Sequence, residues 1–140
     1  PAIVDNKAYK EIFLKEHGIS QVMQLWENMN IAVFTVGKCE QQSSLVRSGY
    51  IPDHMIEYLK DTGAVGEVCT HFIDKDGRCA NQDLEDRTIA VPMEQLKNCE
   101  FRIAVILGEK RLETLRAVLK AGYANVLIID EEAAEKLIQE

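Results

Sequence analysis

With 140 residues, 46% hydrophobic and 28% charged, the chain has room for one domain able to bury about two-thirds of the surface its unfolded form exposes, and its composition excludes a disordered or collagen-like protein. Lys plus Arg number 16 against 23 Asp plus Glu, a net charge of −7, so the chain by itself is a poor partner for the phosphate backbone of a nucleic acid. The apolar runs, such as Ile103 to Leu107 and Val126 to Ile129, are too short to span a bilayer, and no charged-then-apolar export signal opens the sequence, so the expected location is cytoplasmic, with no membrane partner.

In chain order, the short apolar start Ala2 to Val4 leads to Asp5 or Asn6, either able to cap a helix running to about His17, with Gly18 placed to end it. Ser20 offers a second cap, and Val22, Leu25, Trp26 and Met29 recur at helical spacing through Gln21 to Met29. Ile31 to Val36 reads as a strand closed by Gly37. Ser43 to Arg47 predicts a short helix stopped by Gly49, and Pro52 fits the first turn of a helix carrying Met55, Ile56 and Leu59 before Gly63. From Val65 to Val91 the pattern changes to short β-like runs, with Lys75-Asp76-Gly77 turning a hairpin between Thr70 to Asp74 and Arg78 to Ala80.

The last third is the clearest. Arg102 to Leu107 reads as a buried strand, Leu112, Leu115, Val118 and Leu119 as one helix face stopped by Gly122, Asn125 to Ile129 as a second buried strand, and a closing helix follows from Glu131. Continuous apolar strands alternating with amphipathic helices predict an α/β fold, one domain over residues 1–140. Its sheet is expected to be mainly parallel and Rossmann-like, with helices on both faces, a β-hairpin excursion, and ligands at the carboxyl ends of the strands. Ile31 to Val36, Arg102 to Leu107 and Asn125 to Ile129 are expected to be neighbours.

Motifs with chemistry are few. Cys39, Cys69, Cys79 and Cys99 form no Cys-x-x-Cys pair, and the three His have no ligand-like spacing, so no metal is expected and the thiols read as reduced and packed. No Walker pattern and no Gly-x-Gly-x-x-Gly occurs, and no cofactor is expected. Gly108-Glu109-Lys110-Arg111, between strand and helix, reads either as an anion site at a helix N-terminus or as a tight turn with solvated cations. Glu109 there offsets part of the positive charge. Leu84-Glu85-Asp86-Arg87 is either a grip for sugar hydroxyls or a solvated turn with a local ion pair. Glu67, within an apolar run, needs a partner if buried. His71 reads as a hydrogen-bonded structural residue.

Taken together, Gly63-Ala64-Val65-Gly66-Glu67-Val68-Cys69, Phe72-Ile73-Asp74 with Gly77, and Leu84-Glu85-Asp86-Arg87-Thr88-Ile89 resemble successive signature blocks of the effector domain of SorC-family transcriptional regulators. Ser44-Leu45-Val46-Arg47-Ser48-Gly49-Tyr50 is similar to that family's Ser-x-Leu-x-x-x-Gly block, Ala121 to Glu131 to its closing strand, and Pro1-Ala2-Ile3-Val4-Asp5 to its Pro-Ala-x-x-x-Asp segment. The resemblance covers nearly the whole chain. It departs at two places. The family's Gly-Gly-x-x-Lys appears as Leu107-Gly108-Glu109-Lys110-Arg111, and its Gly-x-Gly as Thr35-Val36-Gly37.

This resemblance implies a fold like that of glucosamine-phosphate deaminase, ribose-phosphate isomerase and CoA-transferases, without catalysis. It also implies a role in sensing a sugar or sugar phosphate for a regulator of carbohydrate metabolism. The helix-turn-helix through which such a regulator touches DNA, and the first strands of the family domain, are expected to lie outside this chain, and a homo-oligomer is expected. Carried over position by position, the ligand-contact residues are Arg47, Glu67, Asp86 and Arg111, with Gly37 and Gly108 allowing close approach and Lys110 adding charge. Two alternatives stay open: a sugar-phosphate isomerase or deaminase-like enzyme, for which only Glu67 or His71 could serve as base, and an assembly fragment that binds no ligand.

Overall fold

The computed structural model describes residues 2–139, so Pro1 of the Pro-Ala segment lies outside the described residues. Asn6 opens helix α1 (Lys7–Phe13), its side-chain oxygen accepting the Ala8 N–H at 2.8 Å. The break that follows falls at 14–16 and not at Gly18, as the sequence led us to expect. Glu16 takes the cap position of helix α2 (His17–Glu27) in an extended conformation, and the Ser20 N–H already bonds to its carbonyl at 2.8 Å. Gly18 sits in that first turn, where backbone N–H groups have no intrahelical partner in any case, so a glycine there interrupts nothing.

Strand β1 (Ile31–Phe34) and strand β2 (Val36–Lys38) replace the single strand expected over Ile31 to Val36. The chain changes sheets at Thr35. Beyond β2 come α3 (Ser44–Arg47), α4 (Asp53–Asp61), β3 (Ala64–Val68), β4 (His71–Asp74), α5 (Gln82–Arg87) and α6 (Met93–Asn98). The last third holds β5 (Phe101–Ile106), a 3₁₀ turn at Glu109–Arg111, α7 (Leu112–Lys120), β6 (Val126–Ile129) and α8 (Glu131–Ile138). The parallel sheet has the order β1-β5-β6, so the three apolar runs are neighbours as their pattern predicts; a second, antiparallel sheet has the order β2-β3-β4. The excursion is therefore larger than a hairpin. Where β-like runs were expected up to Val91, Asn81 caps α5 by accepting the Leu84 N–H at 2.9 Å, and the Lys75-Asp76-Gly77 turn returns only as far as an isolated bridge between Ile73 and Cys79.

Helix α7 holds the two sheets together. Its Leu115, Ala117 and Val118 are fully buried, packed with Ala104 and Ile106 of the parallel sheet and with Val68 and Ile73 of the antiparallel one. A second core, from Leu45, Ile56 and Leu59 of α3 and α4, covers Ala64 and Phe72. Cover on both faces of the parallel sheet was expected, but only one face has it. Ile31, Val33, Phe101 and Ile128 alternate with the buried positions and are 45–66% exposed, leaving an apolar face open.

Between β3 and β4 the chain turns through Cys69 (φ 50°) and Thr70 (φ 76°), two left-handed residues in succession, which matches the twist a two-residue hairpin needs but suits neither side chain. Thr70→Gly keeps the backbone N–H and removes the β-branched clash. It should raise the melting temperature by about 2 °C, on the order of 0.5–1 kcal/mol; a lowered melting temperature in calorimetry would show that the turn stores no strain.

Candidate functional site

The β2–β3 register sets Gly37 directly across from Glu67. That pairing builds a cleft of about 260 Å³, whose wall includes Gly37, Lys38, Arg47, Glu67 and Arg111. Glu67 folds back so that Oε2 accepts the Thr70 N–H at 2.9 Å, while Oε1 lies over Gly37, where any Cβ would overlap it. Burial pushes the Glu67 carboxyl above its ordinary range; the Thr70 N–H and the charges of His71 and Arg111 pull the other way. Arg47 arrives from the last turn of α3 and Arg111 from the 3₁₀ turn ahead of α7. Among the described residues neither guanidinium has a hydrogen-bond or ion-pair partner, and neither does Lys38.

Four of the seven residues expected from the sequence therefore share one cleft: Gly37, Arg47, Glu67 and Arg111. Gly108 and Lys110 border an adjoining depression of about 340 Å³ that shares Lys38, Glu40 and Arg111 with it. At the strand-to-helix turn where an anion site was expected, one backbone donor is already engaged. The Gly108 N–H donates to Asp130 Oδ2 at 2.5 Å, and Asp130 Oδ1 accepts the Ala133 N–H at 2.9 Å to cap α8. These two bonds hold the Asp130 carboxyl below the usual carboxylate range. Glu109 does not offset Lys110 and Arg111 as expected, because it is ion-paired to Lys136 of α8. Lys38 is the residue that the sequence reading missed. It follows Gly37 on β2 and stands at the meeting of both depressions, a position visible only once the chain is known to change sheets at Thr35.

Comparison with known proteins adds independent information. A family model described as "Putative sugar-binding domain" matches residues 1–139. The chain is 34% identical over 140 residues to the deoxyribonucleoside regulator of Bacillus subtilis, covering 100% of this chain and 44% of that protein. It is 30% identical over 138 residues to the erythritol catabolism regulatory protein EryD of Brucella abortus, covering 99% of this chain and 43% of that protein. Among solved structures, a DeoR family transcriptional regulator from Listeria monocytogenes matches with a TM-score of 0.91 at 29% identity, over 99% of this chain and 56% of that one. The chain thus spans less than half the length of the curated relatives it matches.

Asp86 stands apart from the cleft. It lies on α5, ion-paired to Lys7 at 2.9 Å and accepting from Gln82 at 2.8 Å. Its neighbours are engaged too. Arg87 donates to Asp83 at 3.1 Å and to the Val4 carbonyl at 3.0 Å, and the Ile3–Thr88 bridge ties the N-terminal segment alongside. Glu85 accepts from Nδ1 of His71 at 2.8 Å, while Nε2 of that buried ring faces the Val91 carbonyl at 2.9 Å. The run Leu84 to Arg87 thus acts as a clip that joins β4, the N-terminal segment and the residues after α5. The hydrogen bond from His71, above all, holds the Glu85 carboxyl below its ordinary value. A depressed carboxylate contributes stability that is full above its unfolded value, about 4.3, and is lost as pH falls through the folded value. Glu85→Gln should thus cost about 1–3 kcal/mol in urea unfolding at pH 7, with the gap from the wild type closing below about pH 4; a gap that does not change with pH would sink this assignment.

Proposed function

The chain belongs to the sugar-binding domain family to which its SorC-like blocks pointed, and we propose that it is the effector-sensing domain of a bacterial transcriptional regulator of carbohydrate metabolism. In this reading residues 1–140 form one binding unit for a sugar or sugar phosphate, whose occupancy modulates DNA binding by the rest of the parent protein. The observation that carries it is one cleft that holds two guanidinium groups, Arg47 and Arg111, neither hydrogen-bonded nor ion-paired among the described residues, together with the half-buried Glu67 carboxyl over Gly37. Guanidinium forks match phosphate oxygens, a carboxylate accepts from sugar hydroxyls, and the glycine lets a ligand approach the backbone. A net charge of −7 fits a chain that leaves DNA contact to another domain. The cytoplasm is the matching location, since the relatives are named as transcriptional regulators.

A sensing role without catalysis is the better reading of the titratable groups. The hydrogen bond that Glu67 makes is to a backbone N–H, and His71 is engaged with Glu85 and Val91 away from the cleft, so among the described residues neither candidate base is paired with a second side chain in the cleft. Self-association is part of the proposal, supported by the open apolar face at Ile31, Val33, Phe101 and Ile128, a surface that water covers at a cost.

Thermal-shift screening against sugars, polyols and their phosphates tests the ligand, because binding to the folded state alone raises the melting temperature by mass action. Arg111→Ala should abolish stabilisation by the phosphorylated ligand and spare the free sugar, a charge-assisted hydrogen bond being worth roughly 1.5–3 kcal/mol. Equal loss for both, or turnover of any of them, overturns the reading. Light scattering should find a dimer or larger species that Val33→Asp shifts toward monomer, whereas a wild-type monomer at high concentration would remove self-association from it.

A further inference from the structure

Thr114, on α7, is 1% exposed, a rare place for a hydroxyl. Its Oγ1 donates to the Val65 carbonyl at 3.2 Å. The β3–β4 register slips between Ala64 and Gly66, so Val65 is the residue the ladder skips, and its carbonyl is met by Thr114 and by the Cys39 N–H at 3.4 Å. Directly beside it Gly66 leaves bare backbone. A Cβ there would overlap both Oγ1 and Cγ2 of Thr114 and also the carbonyl oxygen of Gly37. Helix α7 therefore rests on β3 backbone through one threonine, at a separation no residue larger than glycine permits.

One of the two elements joined by this contact carries Glu67 and the other begins directly after Arg111, two of the opposing charges of the cleft. Glu67 follows Gly66 on β3, and Arg111 stands three residues before Thr114, about one helical turn away. We propose that Thr114 is a positioning residue for the effector cleft, seated on Gly66 and bonded to the skipped Val65 carbonyl so as to fix the separation of Arg111 from Glu67. The inference deepens the ligand-sensing reading and rests on it for its purpose, but the geometry it describes exists without ligand. A guanidinium held in place before the ligand arrives loses less conformational freedom on binding than one that must be ordered. A hydroxyl suits this seat better than a methyl group, because only the hydroxyl gives the Val65 carbonyl a second donor beside the long Cys39 N–H bond.

Because the Arg111 charge lowers the Glu67 titration, the side-chain carboxyl of Glu67, followed by ¹³C NMR against pH, reports their separation without any ligand. Arg111→Ala should raise the Glu67 midpoint. Gly66→Ala, whose Cβ would overlap both Thr114 and the Gly37 carbonyl, should disturb the seat of α7 and raise it in the same direction by at least half as much, and combining it with Arg111→Ala should add nothing further. Where Gly66→Ala does not fold, Thr114→Val carries the same test, with Thr114→Ser restoring the wild-type midpoint. Inorganic phosphate, titrated against the Arg111 side-chain resonances, should bind each displaced variant at least tenfold more weakly. A variant that melts lower while the Glu67 midpoint stays at the wild-type value reduces Thr114 to ordinary packing and overturns the proposal. Should the wild type bind neither phosphate nor any sugar phosphate while the midpoint still moves, the positioning role stands and the ligand reading falls.

Discussion

Everything at the cleft depends on the close crossing of two backbones at Gly37 and Gly66. Gly37 is paired across from Glu67, and the carbonyl of Gly37 lies where a side chain at 66 would have to go. This crossing is possible because the chain leaves the parallel sheet at Thr35 and enters the antiparallel one two residues before Lys38. A strand that continued in the parallel sheet would turn Gly37 toward the ordinary strand-to-helix connection, and the half-buried Glu67 carboxyl would have no bare backbone to lie against. The change of sheets thus fixes both the depth of the cleft and the placement of its acid.

The electrostatics follow from how the surrounding acids are engaged. An acidic protein with 23 Asp and Glu against 16 Lys and Arg would be a weak anion binder if its negative groups crowded the same surface. Glu109 is neutralised by Lys136, and Asp130 is spent on the Gly108 and Ala133 N–H groups. Arg47, Arg111 and Lys38 are left without partners among the described residues. Glu40 and Glu67 also line the cleft, so the three cations leave only a small positive excess there, and that local balance, beside the low-dielectric wall of α7 and β3, matters more to an arriving anion than the net charge of the molecule.

The sequence was legible where pattern and period coincide. The β5, α7, β6 and α8 segment carries continuous apolar runs separated by an amphipathic helix, and both its order and its parallel pairing follow from that pattern. Arg47, Glu67 and Arg111 were legible through the resemblance, not through spacing, since they lie on three different elements. What failed shares a physical cause. The change of sheets at Thr35, the β-bulge at Val65 and the α5 helix from Gln82 depend on pairing partners distant in sequence or on a cap at Asn81 that local β-like composition masks. That Asp86 stands outside the cleft was hidden for the same reason, because its partner Lys7 is 79 positions away. No local window holds both.

The occupied backbone at Gly108 decides where an anion would be held. A phosphate seated on that N–H would have to displace Asp130, and displacing Asp130 would also remove the cap from α8, whose Lys136 pairs with Glu109 on the same 3₁₀ turn. Losing a cap alone costs about 1 kcal/mol, before the freed carboxylate is counted as a new neighbour of the ligand. Side-chain forks from Arg47 and Arg111 meet no such competitor, and each can present two parallel N–H groups to a phosphate. The planar fork of Arg111, without a hydrogen-bond partner among the described residues, therefore offers parallel donors at a turn where the Gly108 N–H is already engaged.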